Sequence, residues 1–417
     1  MKFYKKNYFL KKNCVLCNSV KIDKVFKLAN TPLANSYPQN KKSKEEHYGL
    51  TLVLCKDCGH LQLKEIINPN ILFKNYVYVS GTSKVLKKHF EDYANKIIKK
   101  FNLKKNDGIL DIACNDGTFL ENFKNKKFTK VVGIEPANNL KKLNLKKKID
   151  IKINFFSYKF SNSIKKNYDN FKIITANNVC AHTPYLCDFF QGVKNLLAKK
   201  GVFIFEVSYL VDVIKKLQFD TIYHEHMSYH SISPLKKFLH NLDLEIIEFD
   251  RVKAQGGSIR IYVGHKGEHK VNKYKIDSQI KYERNLGLFK KNLFKKFFFK
   301  ILKQKTILKK EIKIFKSKQL KIIGYGAPAK LTTFCHLLNI GKQDIDYIID
   351  DNKLKQNCYS PGKKIPIRSF PFALKDKPKV IIVLAWNFFD SIVKKCKKHF
   401  SSKVTYIKAF PKVIKVN

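Results

Sequence analysis

Short apolar runs alternate with turns rich in Gly, Asn and Asp along most of the chain, a rhythm that predicts strands linked by helices. Gly108-Ile-Leu-Asp111-Ile, Val131-Val-Gly-Ile134, Phe171-Lys-Ile-Ile-Thr-Ala176 and Val202-Phe-Ile-Phe-Glu206 each read as a strand buried on both faces, hence part of a parallel sheet. Helices are expected from Lys84 to about Phe101, with Val85, Phe90, Tyr93 and Ile97 as the apolar stripe, after Gly117, and from Phe189 to Ala198. Tyr76 and Tyr78 lie two apart and would share a face if their segment were a strand. From about Val271 to Lys318, Leu286, Phe289, Leu293, Phe297 and Leu302 sit at helical spacing among lysines, which predicts long amphipathic connectors. The strand rhythm then restarts at Leu320-Lys-Ile-Ile-Gly324 and continues through Ile345 to Asp351, Ile365-Pro-Ile367 and Ile381 to Asn387.

At 417 residues and 44% hydrophobic content, the chain can bury two or three cores. Its formal charge of +50 invites a nucleic-acid reading, but almost all the positive charge is lysine. The only arginines are Arg251, Arg260, Arg284 and Arg368, and arginine is the side chain that reads phosphate and guanine bidentately. Lysines spread over the whole length fit solvated faces, so no nucleic-acid partner is expected. No apolar run has membrane-spanning length; Val202 to Ile214 is interrupted by Glu206, Ser208 and Asp212. The opening MKFYKKNYFLKKNC lacks the apolar centre of a secretory signal, and ten cysteines in such a chain point to metal or reduced thiols. The expectation is a cytoplasmic protein, monomer or homodimer.

Cys14-Val-Leu-Cys17 and Cys55-Lys-Asp-Cys58 are two CxxC knuckles, which allow four thiolates on one tetrahedral Zn2+ and leave no open position for catalysis. The 37 residues between them are long for a zinc ribbon and carry Thr31-Pro32-Leu33-Ala34-Asn35.

Asp111-Ile-Ala-Cys-Asn115-Asp116-Gly117 closes the first strand of the central series. A pyrophosphate loop needs bare amides, whereas two carboxylates here would repel phosphate and suit a cationic ligand such as S-adenosylmethionine. Glu135 ends the next strand, 24 positions past Asp111, where an acid accepts ribose hydroxyls. The stretch Phe219 to Ser231 packs Tyr223, His224, Glu225, His226 and Tyr229 into seven residues, a density suited to proton transfer. His182 follows Asn177-Asn178 at the end of another strand. Near the C-terminus, Gly324-Tyr325-Gly326-Ala-Pro-Ala-Lys330 is a phosphate-compatible turn with no acid of its own and one cation.

Taken together, CxxC…CxxCGH, YVYVSGTS, LDIACNDGTFL, GIEPANN, NNVCAH, FDTIYHEH, GGSIRIYV, GYGAPAK, KQNCYSPGKKIPI and LAWN make the chain resemble the three-domain nucleotide-sugar C-methyltransferases over nearly its full length. The resemblance implies an α/β protein with a small zinc-bearing N-terminal module (1–70), a class I methyltransferase Rossmann-like domain (71–268), a helical connector (269–318) and a second Rossmann-like domain for the nucleotide-sugar (319–417). It implies His226 as general base with Glu225 and Tyr223 beside it, Asn178 and His182 near the keto-sugar, and Tyr76 or Tyr78 reaching the same pocket. Asp111, Asn115, Asp116, Gly117, Glu135, Pro136 and Asn177 would hold S-adenosylmethionine. Gly324, Tyr325, Gly326, Lys330, Asp350, Lys355 and Asn387 would hold the nucleotide-linked keto-sugar. Relatives often carry Gly where this chain has Ala113, which predicts a slightly strained turn. The expected reaction is C-methylation of a 4-keto deoxysugar through an enolate. An O- or N-methyltransferase acting on another small metabolite, and a zinc-containing RNA-binding protein, are the alternatives the sequence leaves open.

Overall fold

A computed structural model describes residues 7–141, 143, 147–253, 256–400 and 403–417; the opening residues 1–6, read above for a leader, lie outside these. The central sheet has seven strands in the order Leu244–Val252, Ser258–His265, Leu197–Ser208, Phe171–Asn177, Ile109–Ile112, Val131–Glu135, Asp150–Ile153. Its five neighbouring parallel strands run from Leu197–Ser208 to Asp150–Ile153, and Ser258–His265 pairs antiparallel with both of its neighbours. This is the Rossmann-like order of a class I methyltransferase, with helices on both faces. Every side chain of Ile109–Ile112 and of Val131–Glu135 is buried, as a doubly covered parallel strand requires.

A second sheet, of four strands, is built on the N-terminal segment: Ile22–Thr31, Tyr48–Cys55 and Leu61–Leu63. Its fourth strand, Ser228–Tyr229, comes from the middle of the chain and pairs with Leu61 and Gln62. A third sheet has the parallel order Ile367–Arg368, Ile348–Ile349, Ile322–Tyr325, Val380–Val383, Thr405–Lys408, with Ile414–Val416 added antiparallel. The helices Lys273–Leu286 and Lys291–Ser317 join the central and C-terminal parts. The longer one packs on the N-terminal sheet, where Phe298 stacks on Phe26 at 5.3 Å.

Several local expectations need correcting. The first long helix spans Lys84–Lys100 and buries Phe90, Tyr93 and Ile97, but Val85 is 73% exposed. Val85 falls in the first turn, ahead of the stripe that meets the sheet. Tyr76 and Tyr78 lie on an irregular segment, not a strand, with Tyr78 exposed and Tyr76 turned inward. Asn139 exchanges hydrogen bonds with the Tyr76 backbone at 2.9 and 2.8 Å, so a side chain takes the place of a neighbouring strand. The Ile345–Asp351 run yields only the two-residue strand Ile348–Ile349. Of Phe297, Phe298 and Phe299, the first is buried and the last is 70% exposed.

Candidate active site

Phe219 to Tyr229 crosses the carboxyl ends of the central strands and is tied at one end to the C-terminal part and at the other to the N-terminal sheet. Phe219 packs on Phe410 at 4.8 Å, and the Thr333 hydroxyl donates to the Ile222 carbonyl at 2.7 Å, both partners lying in the C-terminal part. At the other end Leu63 N donates to Met227 O at 2.9 Å, and Ser228–Tyr229 enter the N-terminal sheet. Between these anchors the four polar side chains diverge. His224 bonds the Gly49 carbonyl at 3.1 Å, facing the N-terminal sheet. His226 faces the cavity lined by Asn178, Ala181, His182, Ser208, Thr221 and Tyr229.

The hydrogen bonds of His226 define its chemistry. Nδ1 lies 2.7 Å from the Thr221 carbonyl, which can only accept, so the ring proton sits on Nδ1. Nε2 is then the basic nitrogen, and the Tyr223 hydroxyl donates to it at 3.1 Å. Burial, with help from the neighbouring His182, drives the His226 pKa well below the usual imidazole value, so the ring is neutral at pH 7. His182 stacks on Phe73 and lies 5.1 Å from the His226 ring; burial lowers its pKa to about 4.

Glu225 is 3% exposed and accepts two hydrogen bonds, from Tyr76 Oη at 2.9 Å and from Asn35 Nδ2 at 2.6 Å. Burial raises its pKa to about 7, against the pull of those two donors. Of the two candidate tyrosines, Tyr76 is the one joined to this cluster. Asn178 has a left-handed φ of 60° and donates its backbone N–H to the Glu206 carbonyl at 2.7 Å, which holds it at the strand edge beside His182.

At the first strand end, Asp111 is buried and accepts from Thr175 at 2.6 Å and Asn177 at 3.4 Å. Burial lifts its pKa to about 7, opposed by the Thr175 bond and reinforced by Glu135. Glu135 accepts from Asn115 N at 2.7 Å and Ala137 N at 2.8 Å, which uses one lone pair on each oxygen. Asn177 Oδ1 is buried with no partner among the described residues. An acceptor-rich strand end with an orphaned carbonyl fits a ligand bearing hydroxyls and an amino group. Asp116 does not act as the free acid the spacing suggested. It bonds the Thr118 hydroxyl at 2.8 Å and Gly81 N at 3.1 Å, and Lys147 lies 3.4 Å away. With Asn115 Oδ1 accepting from Ser80 N at 2.9 Å, it pins Ser80–Thr82 over the turn. Gly117 supplies the left-handed cap of the following helix, φ 70°; Ala113 adopts φ 54°, the strain its lack of Gly implied. Pro136 follows Glu135 directly, before Ala137.

The Sγ atoms of Cys14, Cys17, Cys55 and Cys58 lie within 4.8 Å of one another. The Cys14–Cys58 and Cys17–Cys55 separations of 3.6 and 3.5 Å match the roughly 3.8 Å edge of a tetrahedron with Zn–S bonds of about 2.3 Å. The donor set fits structural zinc.

In the C-terminal part, the turn after Ile322–Tyr325 carries Gly326 at φ 91°, but its amide is not bare. Asp350, brought in from the neighbouring strand, accepts from Ala327 N at 2.6 Å. An acid therefore occupies the position a phosphate would take, and phosphate binding by these amides is not what the turn is built for. Lys355 donates to Ala327 O at 2.7 Å. Gly324 sits within the strand, and the Tyr325 hydroxyl points to Asp351 and Lys395, away from the cavity. Lys330 is half-buried beside Asp220, whose Oδ2 accepts from Trp386 at 2.6 Å. Asn387 approaches Gly256 at the same junction. Sequence reasoning missed Asn35, Asp220 and Thr221; only the Thr-Pro-Leu-Ala-Asn turn hinted at the first.

Comparison with known proteins gives three family matches along the chain. Residues 14–73 match a zinc binding domain, residues 86–248 a methyltransferase domain, and residues 253–411 a C-methyltransferase C-terminal domain. The C-methyltransferase NovU of Streptomyces niveus is 26% identical over 400 residues, covering 95% of each chain. Among solved structures, an S-adenosylmethionine-dependent methyltransferase of Clostridium acetobutylicum covers 43% of this chain and 92% of its own at 19% identity, TM-score 0.35. The PH0226 protein of Pyrococcus horikoshii covers 47% and 98% at 14% identity, also TM-score 0.35.

Proposed function

We propose that this chain, a SAM-dependent methyltransferase similar to C-methyltransferases in its C-terminal domain and over its length, methylates a ring carbon of a nucleotide-linked 4-keto deoxysugar. The observation that carries the reading is a neutral imidazole, His226, with Nε2 free of its ring proton and the ring lining a small cavity at the strand ends. A carbon beside a ketone becomes nucleophilic only on losing a proton, and a buried neutral histidine is a suitable acceptor. Tyr223 and His182 flank that ring and are the donors for the enolate oxygen, Tyr223 by swinging from Nε2 to the substrate. When bound, S-adenosylmethionine supplies an electrophilic methyl; Asp111, Glu135 and Asn177 would hold it, with the Asn115–Gly117 turn beneath. Asn178, which lines the same cavity as His226, and Tyr76, bonded to Glu225, would lie near the keto-sugar.

Lys330, Asp220, Trp386 and Asn387 form the junction between central and C-terminal parts and are the residues we assign to the nucleotide-sugar, with Lys355 and Asp350 supporting the loop that carries Lys330. The domain limits 1–70, 71–268, 269–318 and 319–417 are part of the same proposal. No helix among the described residues is long and apolar enough to cross a membrane.

The test is incubation of the full chain with S-adenosylmethionine and a panel of nucleotide-linked 4-keto deoxysugars, with products read by mass and carbon NMR. An acid-stable product with the new methyl coupled to a ring carbon supports the reading; an O-methyl product, or no turnover on any keto-sugar, contradicts it.

A further inference from the structure

A module closed on a four-cysteine zinc site is by its chemistry a scaffold, yet here it reaches the catalytic cluster directly. The loop between the two cysteine knuckles places Asn35 Nδ2 2.6 Å from Glu225 Oε1, a contact spanning 190 positions. The loop is held from the far side as well. The Tyr37 hydroxyl donates to Ala327 O at 2.7 Å, and Tyr359 N donates to Pro38 O at 2.8 Å. It is thus a strap fixed between the C-terminal part and Glu225, not a free turn.

Glu225 has two donors, Asn35 on Oε1 and Tyr76 on Oε2. With Oε1 held, the carboxylate cannot rotate, and Oε2 stays on the Tyr76 hydroxyl. Tyr76 in turn packs edge-on against Phe73 at 5.9 Å, Phe73 stacks on His182, and His182 lies against His226. A rotation of Glu225 would therefore be felt along the ring series that ends at the base. The titratable groups near Glu225 are the phenols of Tyr37 and Tyr76 from other segments and of Tyr223 on its own, all kept neutral by burial. Among the described residues no cation pairs with it, so the two neutral donors stabilise its charge.

We propose that Asn35 is a positioning residue of the active centre, through which the zinc-bearing module holds Glu225 in register with Tyr76. The proposal rests on the reading of Glu225 as part of the catalytic cluster. Losing the amide donor removes one of two hydrogen bonds to the charged form, so the carboxyl should then titrate at higher pH.

The experiment uses the full-length, zinc-loaded protein and follows the Glu225 carboxyl by infrared difference titration, assigned by subtracting Glu225→Gln. In Asn35→Ala the midpoint should rise by about one pH unit relative to the parent. The isosteric Asn35→Asp, which faces Glu225 with a second carboxyl, should raise it further. Zinc content and affinity for S-adenosylhomocysteine should be unchanged in both. Turnover with a keto-sugar should fall about tenfold in kcat with little change in KM for S-adenosylmethionine. An unmoved midpoint in a zinc-loaded Asn35→Ala overturns the proposal; should that variant not fold, an unmoved midpoint in Asn35→Asp does so. Because the titration needs no acceptor, a wrong choice of keto-sugar does not change its outcome.

Discussion

His226 Nδ1 lies 2.7 Å from the Thr221 carbonyl and 3.1 Å from the Thr221 hydroxyl, and the carbonyl, the shorter contact and an acceptor only, places the ring proton on Nδ1. A main-chain carbonyl cannot reverse its role as a side-chain amide can, so the tautomer is set by the backbone of the Phe219–Thr221 turn. The opposite nitrogen faces the Tyr223 hydroxyl, and the ring lines the cavity.

Removing the Tyr223 hydroxyl tests the next link. Tyr223→Phe leaves His226 in place but deletes the donor nearest Nε2. We expect kcat to fall by roughly ten- to a hundredfold while affinity for S-adenosylhomocysteine, by calorimetry, stays unchanged. Native kcat in this variant would remove Tyr223 from the mechanism.

Asp111 carries a proton-linked prediction. Its folded pKa, raised to about 7 by burial, exceeds the usual carboxylate value. Between about pH 4 and pH 7 the folded apoprotein keeps a proton that the unfolded chain has lost, so this group weakens folding as pH rises through that window. A ligand placing a cationic amino group there lowers the pKa again. Binding of S-adenosylmethionine near pH 6.5 should then release roughly 0.7 proton, seen as a buffer-dependent calorimetric enthalpy. Asp111→Asn should abolish the dependence; an enthalpy equal in all buffers for the parent would contradict the assignment.

Metal removal should disturb the active segment as well as the N-terminal module. Leu61–Leu63 begins three residues after Cys58 and holds Ser228–Tyr229 in register, two residues beyond His226. Metal analysis should find one zinc per chain. A Cys55→Ser, Cys58→Ser variant should lose the metal, several degrees of Tm and most turnover together. A metal-free chain with native Tm and activity would exclude the structural role.

The first turn offers a prediction of opposite sign. Ala113 is held at φ 54°, which costs a non-glycine residue about 1 kcal/mol. Ala113→Gly relieves that but frees the unfolded chain, so chemical denaturation should show a net gain of no more than about 0.5 kcal/mol. A loss would mean that the Ala113 methyl contributes packing greater than its strain.

How legible all this was depended on distance along the chain. The cysteine quartet, the strand running into Asp111 and the strand running into Glu135 are local patterns, and the structure reproduces each. The strain at Ala113 was legible only through the resemblance, because relatives often carry Gly there. What local pattern lacks is the partner. Asp116 looked like a free acid because nothing near it in sequence is basic within reach, yet Lys147 and Gly81 satisfy it from either side. The Gly-Tyr-Gly turn looked bare because Asp350 reaches Ala327 only through the pairing of Ile322–Tyr325 with Ile348–Ile349. Likewise no periodicity in FDTIYHEHMSYHS announces that Ser228–Tyr229 form an edge strand of the N-terminal sheet, or that Asn35 awaits Glu225.

The central claim is that His226 takes a proton from the carbon beside the substrate ketone. The most direct measurement is exchange of that hydrogen with deuterated water, followed by NMR on a nucleotide-linked 4-keto deoxysugar with S-adenosylhomocysteine in place of the methyl donor. The account predicts catalysed exchange by the parent protein and none above background by His226→Ala, with S-adenosylhomocysteine still bound. Exchange at the parent rate in His226→Ala would contradict it.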